Sequence, residues 1–93
     1  MNKNIIKKLE WDDNTKIEHV YKVVSTAFVN LPVQGDWKAH IAITDESNYG
    51  YRATLWCMNG GVDLLGNSYC RNADSAKIKA EEWWMKFVGS FLI

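Results

Sequence analysis

Ninety-three residues suit one domain, since a second rarely fits below about 150 residues, and a chain this short needs an efficient core. Five Trp, four Tyr and three Phe supply that bulk in few positions. Eleven basic and eleven acidic side chains cancel, and they cancel within residues 1–36 (five against five) and 37–93 (six against six), so the chain lacks the long-range field of a dedicated nucleic-acid binder.

Cys57 and Cys70 are too few for a disulfide-rich secreted scaffold. They read either as two small buried thiols or as a bridge, if register sets them on neighbouring strands. No stretch approaches the roughly 20 apolar residues of a membrane span. Met1 to Glu10 carries lysines without a following apolar run and cleavage site, unlike a signal peptide. The expected location is intracellular, in the cytoplasm.

Residues 1–14 read as a flexible or short helical lead-in to a single domain covering residues 1–93. Ile5, Ile6, Leu9 and Trp11 suit a short helical turn or an edge extension. Thr15 with Glu18 has capping-box spacing. From Thr15 to Leu31 the apolar residues Ile17, Val20, Tyr21, Val24, Ala27, Phe28 and Leu31 recur at helical intervals. The run Val20-Tyr-Lys-Val-Val24 is β-prone by composition, but over seventeen residues the period predicts a helix ended by Pro32.

A meander follows. Trp37 to Thr44 places Trp37, Ala39, Ile41 and Ile43 on one face, and Lys38, His40, Ala42 and Thr44 on the other. Tyr51 to Met58 alternates likewise, with Tyr51, Ala53, Leu55 and Cys57 opposite Arg52, Thr54, Trp56 and Met58. Asn59-Gly60-Gly61 is the strongest turn signal, and a third, weaker strand is expected around Val62 to Tyr69. Ala73, Ala76, Ala80, Trp83, Trp84, Phe87 and Phe91 then predict a terminal helix. Asn72 or Asp74 would cap it, Trp84 would face the core, and Trp83 would sit partly exposed. The fold class is α+β: a helix, a three-stranded antiparallel meander, and a C-terminal helix packed on one sheet face.

Over about residues 15–91 this order resembles the double-stranded-RNA-binding domain. Ala53-Thr-Leu-Trp-Cys-Met-Asn-Gly-Gly61 resembles that family's second strand and turn. Gly66 with Asn67-Ser68 resembles its third strand, and Ala76-Lys77, Ala80-Glu81 and Trp84 its second helix. The resemblance implies duplex binding through clustered lysines at the start of that helix. Here the stretch is Arg71-Asn-Ala-Asp-Ser-Ala-Lys77, with Asp74 where positive charge is wanted. The loop that would reach the minor groove is Asp45-Glu46-Ser47-Asn48. Carboxylates facing phosphates oppose that attraction, so the fold can survive without the function.

The mixed sheet face offers Lys38, His40, Arg52 and Trp56 as a protein-docking surface, with Trp56 as anchor and Arg52 at its rim. The alternative is that Trp56 packs under the amino-terminal segment or Met58. Trp83 and Phe91 form a second candidate contact, for a partner or a homodimer. Trp56 and Tyr69 could stack single-stranded bases but lack a basic rim. His19, His40, Cys57 and Cys70 lack the close spacing by which metal ligands are presented in pairs. No phosphate loop, serine elbow or metalloprotease helix is present in the sequence.

The chain therefore reads as a non-enzymatic protein-binding module needing no cofactor, with a host or cognate protein as partner. In style it is similar to small phage and mobile-element accessory proteins, including inhibitors of host defence enzymes. The alternatives are a divergent duplex binder using Arg71, Lys77 and Lys79, and a structural protein self-associating through Phe91-Leu-Ile93.

Overall fold

The computed structural model describes residues 9–14, 21–30, 38–57, 60–66 and 68–90. Strands Lys22–Asn30 (β1), Lys38–Asp45 (β2), Tyr51–Cys57 (β3) and Gly60–Asp63 (β4) precede a helix, Ala73–Gly89 (α1). The strands form one antiparallel sheet in the order β1-β2-β3-β4.

Over its described part, Lys22–Asn30, the helix expected before the meander is a strand. Val23, Val24, Thr26 and Val29 are β-branched and lose side-chain freedom in a helix. The register of β1 against β2 also shifts between Val23 and Ser25, leaving Val24 as an extra residue that packs against the core. Such a bulge breaks strict alternation, and this break makes the apolar spacing look helical. Among the described residues the sheet consequently has four strands, not three. The Thr15–Glu18 capping box and Pro32 lie outside the described residues.

The last strand is also displaced from its expected place. β4 begins at Gly60, inside the anticipated turn, and ends at Asp63, whose Oδ1 accepts from Leu65 N at 2.9 Å to start the next turn. The chain returns to the sheet once more at Cys70, which exchanges backbone bonds with Tyr51. Both cysteines are free thiols, Cys70 buried and Cys57 half-buried.

Cross-strand pairs Ala27–Ile41–Leu55 and Ser25–Ile43–Ala53 build the core face. The helix lays Ala76, Ala80, Trp84 and Val88 onto it, contacting β2 and β3. Fully buried Ala27, Ala53, Ala76 and Ala80 let helix and sheet approach closely, and Trp84 fills the wider end. Burying Ile41 and Ile43 contributes about 1.5–3 kcal/mol each. Asn72 caps the helix as expected, its Oδ1 accepting from Ser75 N at 2.8 Å.

Residues 9–14 extend the sheet beyond β1. Asp12 and Thr26 exchange backbone bonds of 2.7 and 3.0 Å, and Leu9 is buried in the core. Lys77 on α1 ties this segment down, with its Nζ 2.8 Å from Asp13 Oδ1 and 5.8 Å from the centre of the Trp11 ring.

Candidate protein-docking face

Alternation along the strands puts one row of side chains on the face opposite α1: Phe28, His40, Trp56 and Gly61 are successive cross-strand partners. Phe28 is 69% exposed, and its ring centre lies 5.9 Å from that of His40. The six-membered ring of Trp56 sits over Gly61. The next row, Thr26–Ala42–Thr54–Asp63, is largely buried at Thr26 and Ala42.

All four residues expected here, Lys38, His40, Arg52 and Trp56, lie on this face. His40 and Trp56 pair directly, and Arg52 lies on the same face two positions from Thr54. Lys38 pairs with Asn30 at the end of β2 and is exposed. Arg52 does not stand at a rim as a loose hydrogen-bond donor. Its Nε is 3.3 Å from Glu46 Oε2 and 3.9 Å from Asp63 Oδ2, near enough for ion pairing but not aligned for a hydrogen bond. Its Nη2 donates to the Tyr69 hydroxyl, and its guanidinium carbon lies 4.8 Å from the centre of the Tyr69 ring.

Glu46, Asp63 and Tyr69 complete a cluster that strand patterning alone missed. Glu46 is buried and both of its oxygens are engaged. Tyr69 Oη donates to Oε1 at 3.1 Å, and Thr44 Oγ1 donates to Oε2 at 3.1 Å. Burial first, and then the hydrogen bond to Glu46, holds the Tyr69 phenol above the ordinary tyrosine value. Tyr69 also stacks on Tyr49, with ring centres 5.6 Å apart. The signal available in the sequence was the parity of Thr44 with Arg52 across the hairpin, which aims both at the residue following β2.

Between this cluster and the aromatic row lies a groove of about 260 Å³. Tyr21 and Trp56 form aromatic walls, and Glu46, Arg52 and Asp63 form the polar side.

The other expected sites fall elsewhere. Trp83 is half-buried on α1 and stacks on Phe87 with ring centres 4.9 Å apart, while Phe91 and the tail to Ile93 lie outside the described residues. Arg71 and Lys79 are exposed, but Lys77 is turned onto Asp13 and Trp11. Among the described residues no three His, Cys, Asp or Glu side chains converge as metal ligands, and no helix is long and apolar enough to cross a membrane. No protein-family model, curated protein or solved structure matches the chain.

Proposed function

We propose that this protein is a non-enzymatic binding module that occupies a protein partner through the sheet face opposite α1, in the manner of a phage or mobile-element inhibitor of a host protein. The observation that carries this reading is Phe28, 69% exposed in line with His40 and Trp56 across three strands. Large aromatic side chains on a rigid sheet are the groups that anchor protein interfaces, because they bury much area at small entropic cost. Both oxygens of Glu46 are taken up by Thr44, Tyr69 and Arg52, which suits a scaffold role better than proton transfer.

The duplex-binding alternative is less well supported. Lys77 is committed to Asp13, leaving Arg71 and Lys79 exposed around the acidic first turn of the helix at Asp74. Few cations at this end of the helix among the described residues mean weak backbone affinity there.

Capture from a lysate of the source organism, with and without nuclease, tests the proposal. A stoichiometric protein should be retained through nuclease treatment and lost with Phe28→Ser, at a cost of about 2 kcal/mol or more in affinity. Phe28→Ser should unfold as cooperatively as the wild type. Retention that disappears with nuclease would move the weight to nucleic acid.

A further inference from the structure

We infer that the outer flank of α1, centred on Ile78 and Met85, docks a basic amphipathic helix of a partner protein. This surface lies across the sheet from Phe28 and does not rest on the docking reading above.

Helix period sets the stripe. Ile78 and Met85 are seven positions apart in α1, close to two turns, so they stand about 20° apart around the axis and about 10 Å apart along it. They are 57% and 45% exposed, while Ala76, Ala80, Trp84 and Val88 fill the buried side of the same helix. Exposed apolar side chains at i and i+7 are the positions from which one helix meets another.

Charge selects what the partner presents. Asp74 precedes Ile78 by four residues, and Glu81 and Glu82 lie three or four residues from both Ile78 and Met85. At those spacings helical side chains are neighbours, so three carboxylates surround the two apolar groups. Among the described residues none of the three forms an ion pair. Lys77 is held by Asp13. Lys79 and Lys86 follow Ile78 and Met85 directly in sequence and so stand about 100° away around the helix. An acidic rim around an apolar centre disfavours nucleic acid and anionic lipid, and it attracts lysine and arginine.

Shape favours a helix over a strand. The seventeen residues of α1 present ridges of side chains, between which the ridges of a second helix interleave. Mid-helix backbone groups are spent within α1, so an extended strand would find no donors or acceptors there. Met85 is unbranched and polarisable, and adapts to the apolar side chain it meets.

The probe is a synthetic peptide of about fourteen leucine, alanine and lysine residues, with the leucines along one helical face. It is added to the full 93-residue chain. One control replaces lysine by glutamate, and a second keeps the composition but scatters the leucines around the helix. The basic amphipathic peptide should shift the Ile78 and Met85 methyl resonances saturably, with a Kd on the order of 0.1–1 mM. Each control should bind at least about tenfold more weakly, and added salt should weaken the basic peptide. Ile78→Ser, at an exposed position, should weaken it about five- to tenfold, as should Glu81→Gln combined with Glu82→Gln.

Equal binding of the scattered peptide overturns the helical surface. So do shifts centred on Phe28, or no saturable shift up to about 3 mM. The peptide comparisons are made on the wild type, so they decide the matter even if a variant folds poorly. The two readings fail separately. Capture that depends on Phe28 while the peptide does not bind removes only the helical surface. Peptide binding at Ile78 and Met85 with capture indifferent to Phe28 removes only the sheet-face reading.

Discussion

Trp56 lies across Gly61 so closely that a Cβ at position 61 would stand 2.7 Å from Trp56 Cζ3 and 2.8 Å from Cε3. Glycine is required here for the absence of a side chain and not for a turn, because Gly61 is a strand residue paired with Trp56 itself. An aromatic ring covering a glycine on the neighbouring strand also shields the weakest strand of the sheet. Gly61→Ala should thus destabilise the protein. Stiffening the unfolded chain gains about 0.4–1 kcal/mol, but displacing a packed ring costs about 1–3 kcal/mol, so the net loss expected in urea titration is about 1–2 kcal/mol. A red-shifted tryptophan emission should accompany it. An unchanged midpoint and spectrum would show that the ring is not held there.

Arg52 and Glu46 form the polar counterpart of that contact, and their pairing predicts a non-additive mutant cycle. Removing one partner of a buried pair costs about 3–5 kcal/mol. Because the Arg52 side chain is 31% exposed, Glu46→Gln should cost less, about 2 kcal/mol. Arg52→Met alone should also destabilise, while the double variant should lose less than the sum, with a coupling of about 1–2 kcal/mol. Additive losses would mean that the two groups do not support each other.

These two contacts also show what sequence reading reaches and what it does not. The four-residue spacing of Ala76, Ala80 and Trp84, and Asn72 before it, identify α1 and its buried face, because helix period and capping are local. The parity of β2 and β3 places His40, Arg52 and Trp56 on one face for the same reason. Val24 defeats that logic in β1, since one bulged residue turns an alternating strand into a helix-like spacing. Glu46 is opaque for a different reason. In Asp45-Glu-Ser-Asn48 it reads as a solvated loop residue, yet Tyr69 and Arg52 cover it from 23 and 6 positions away. Gly61 likewise reads as half of a Gly-Gly turn until Trp56 is placed opposite it.

Thr26 offers a stabilising change. It is fully buried, and its Oγ1 makes no hydrogen bond, so the hydroxyl carries a desolvation penalty without return. Thr26→Val keeps the branched shape suited to a strand and removes the unsatisfied group. The expected gain is about 1 kcal/mol, seen as a higher urea midpoint with an unchanged slope. A loss of stability would indicate that the hydroxyl is satisfied in solution.

Asp13 predicts an acid-sensitive tie between the amino-terminal segment and the helix. Its hydrogen bond from Lys77, followed by one from Ser25, holds its carboxyl below the ordinary aspartate value. A folded-state value below the unfolded one means that the contribution is complete above the unfolded value. It is lost as pH falls through the folded one. Asp13 is exposed, so the effect should be small and should shrink with salt. Asp13→Asn should flatten the acid limb of the stability profile, at and below the ordinary aspartate range, without altering the neutral spectrum. An acid limb identical to the wild type would dissociate Asp13 from Lys77.

Trp83 and Trp84 are neighbours in sequence with different surroundings, and this separates a core role from a docking role. Trp84 is 7% exposed, within the cluster that includes Ala80 and Val88, and its ring centre lies 5.9 Å from that of Phe87. Truncating it should leave a cavity between helix and sheet, so Trp84→Ala should cost about 3–5 kcal/mol. Trp83 is half-buried and stacks on Phe87 from the edge of the helix, an arrangement worth about 0.5–1.5 kcal/mol beyond its buried area. Trp83→Ala should therefore cost about 1–2 kcal/mol and leave the protein folded. It should also leave partner capture intact, because it lies on the helical side of the sheet, away from Phe28 and Trp56. Loss of capture with Trp83→Ala at full stability, together with normal capture by Phe28→Ser, would transfer the docking surface to the helix.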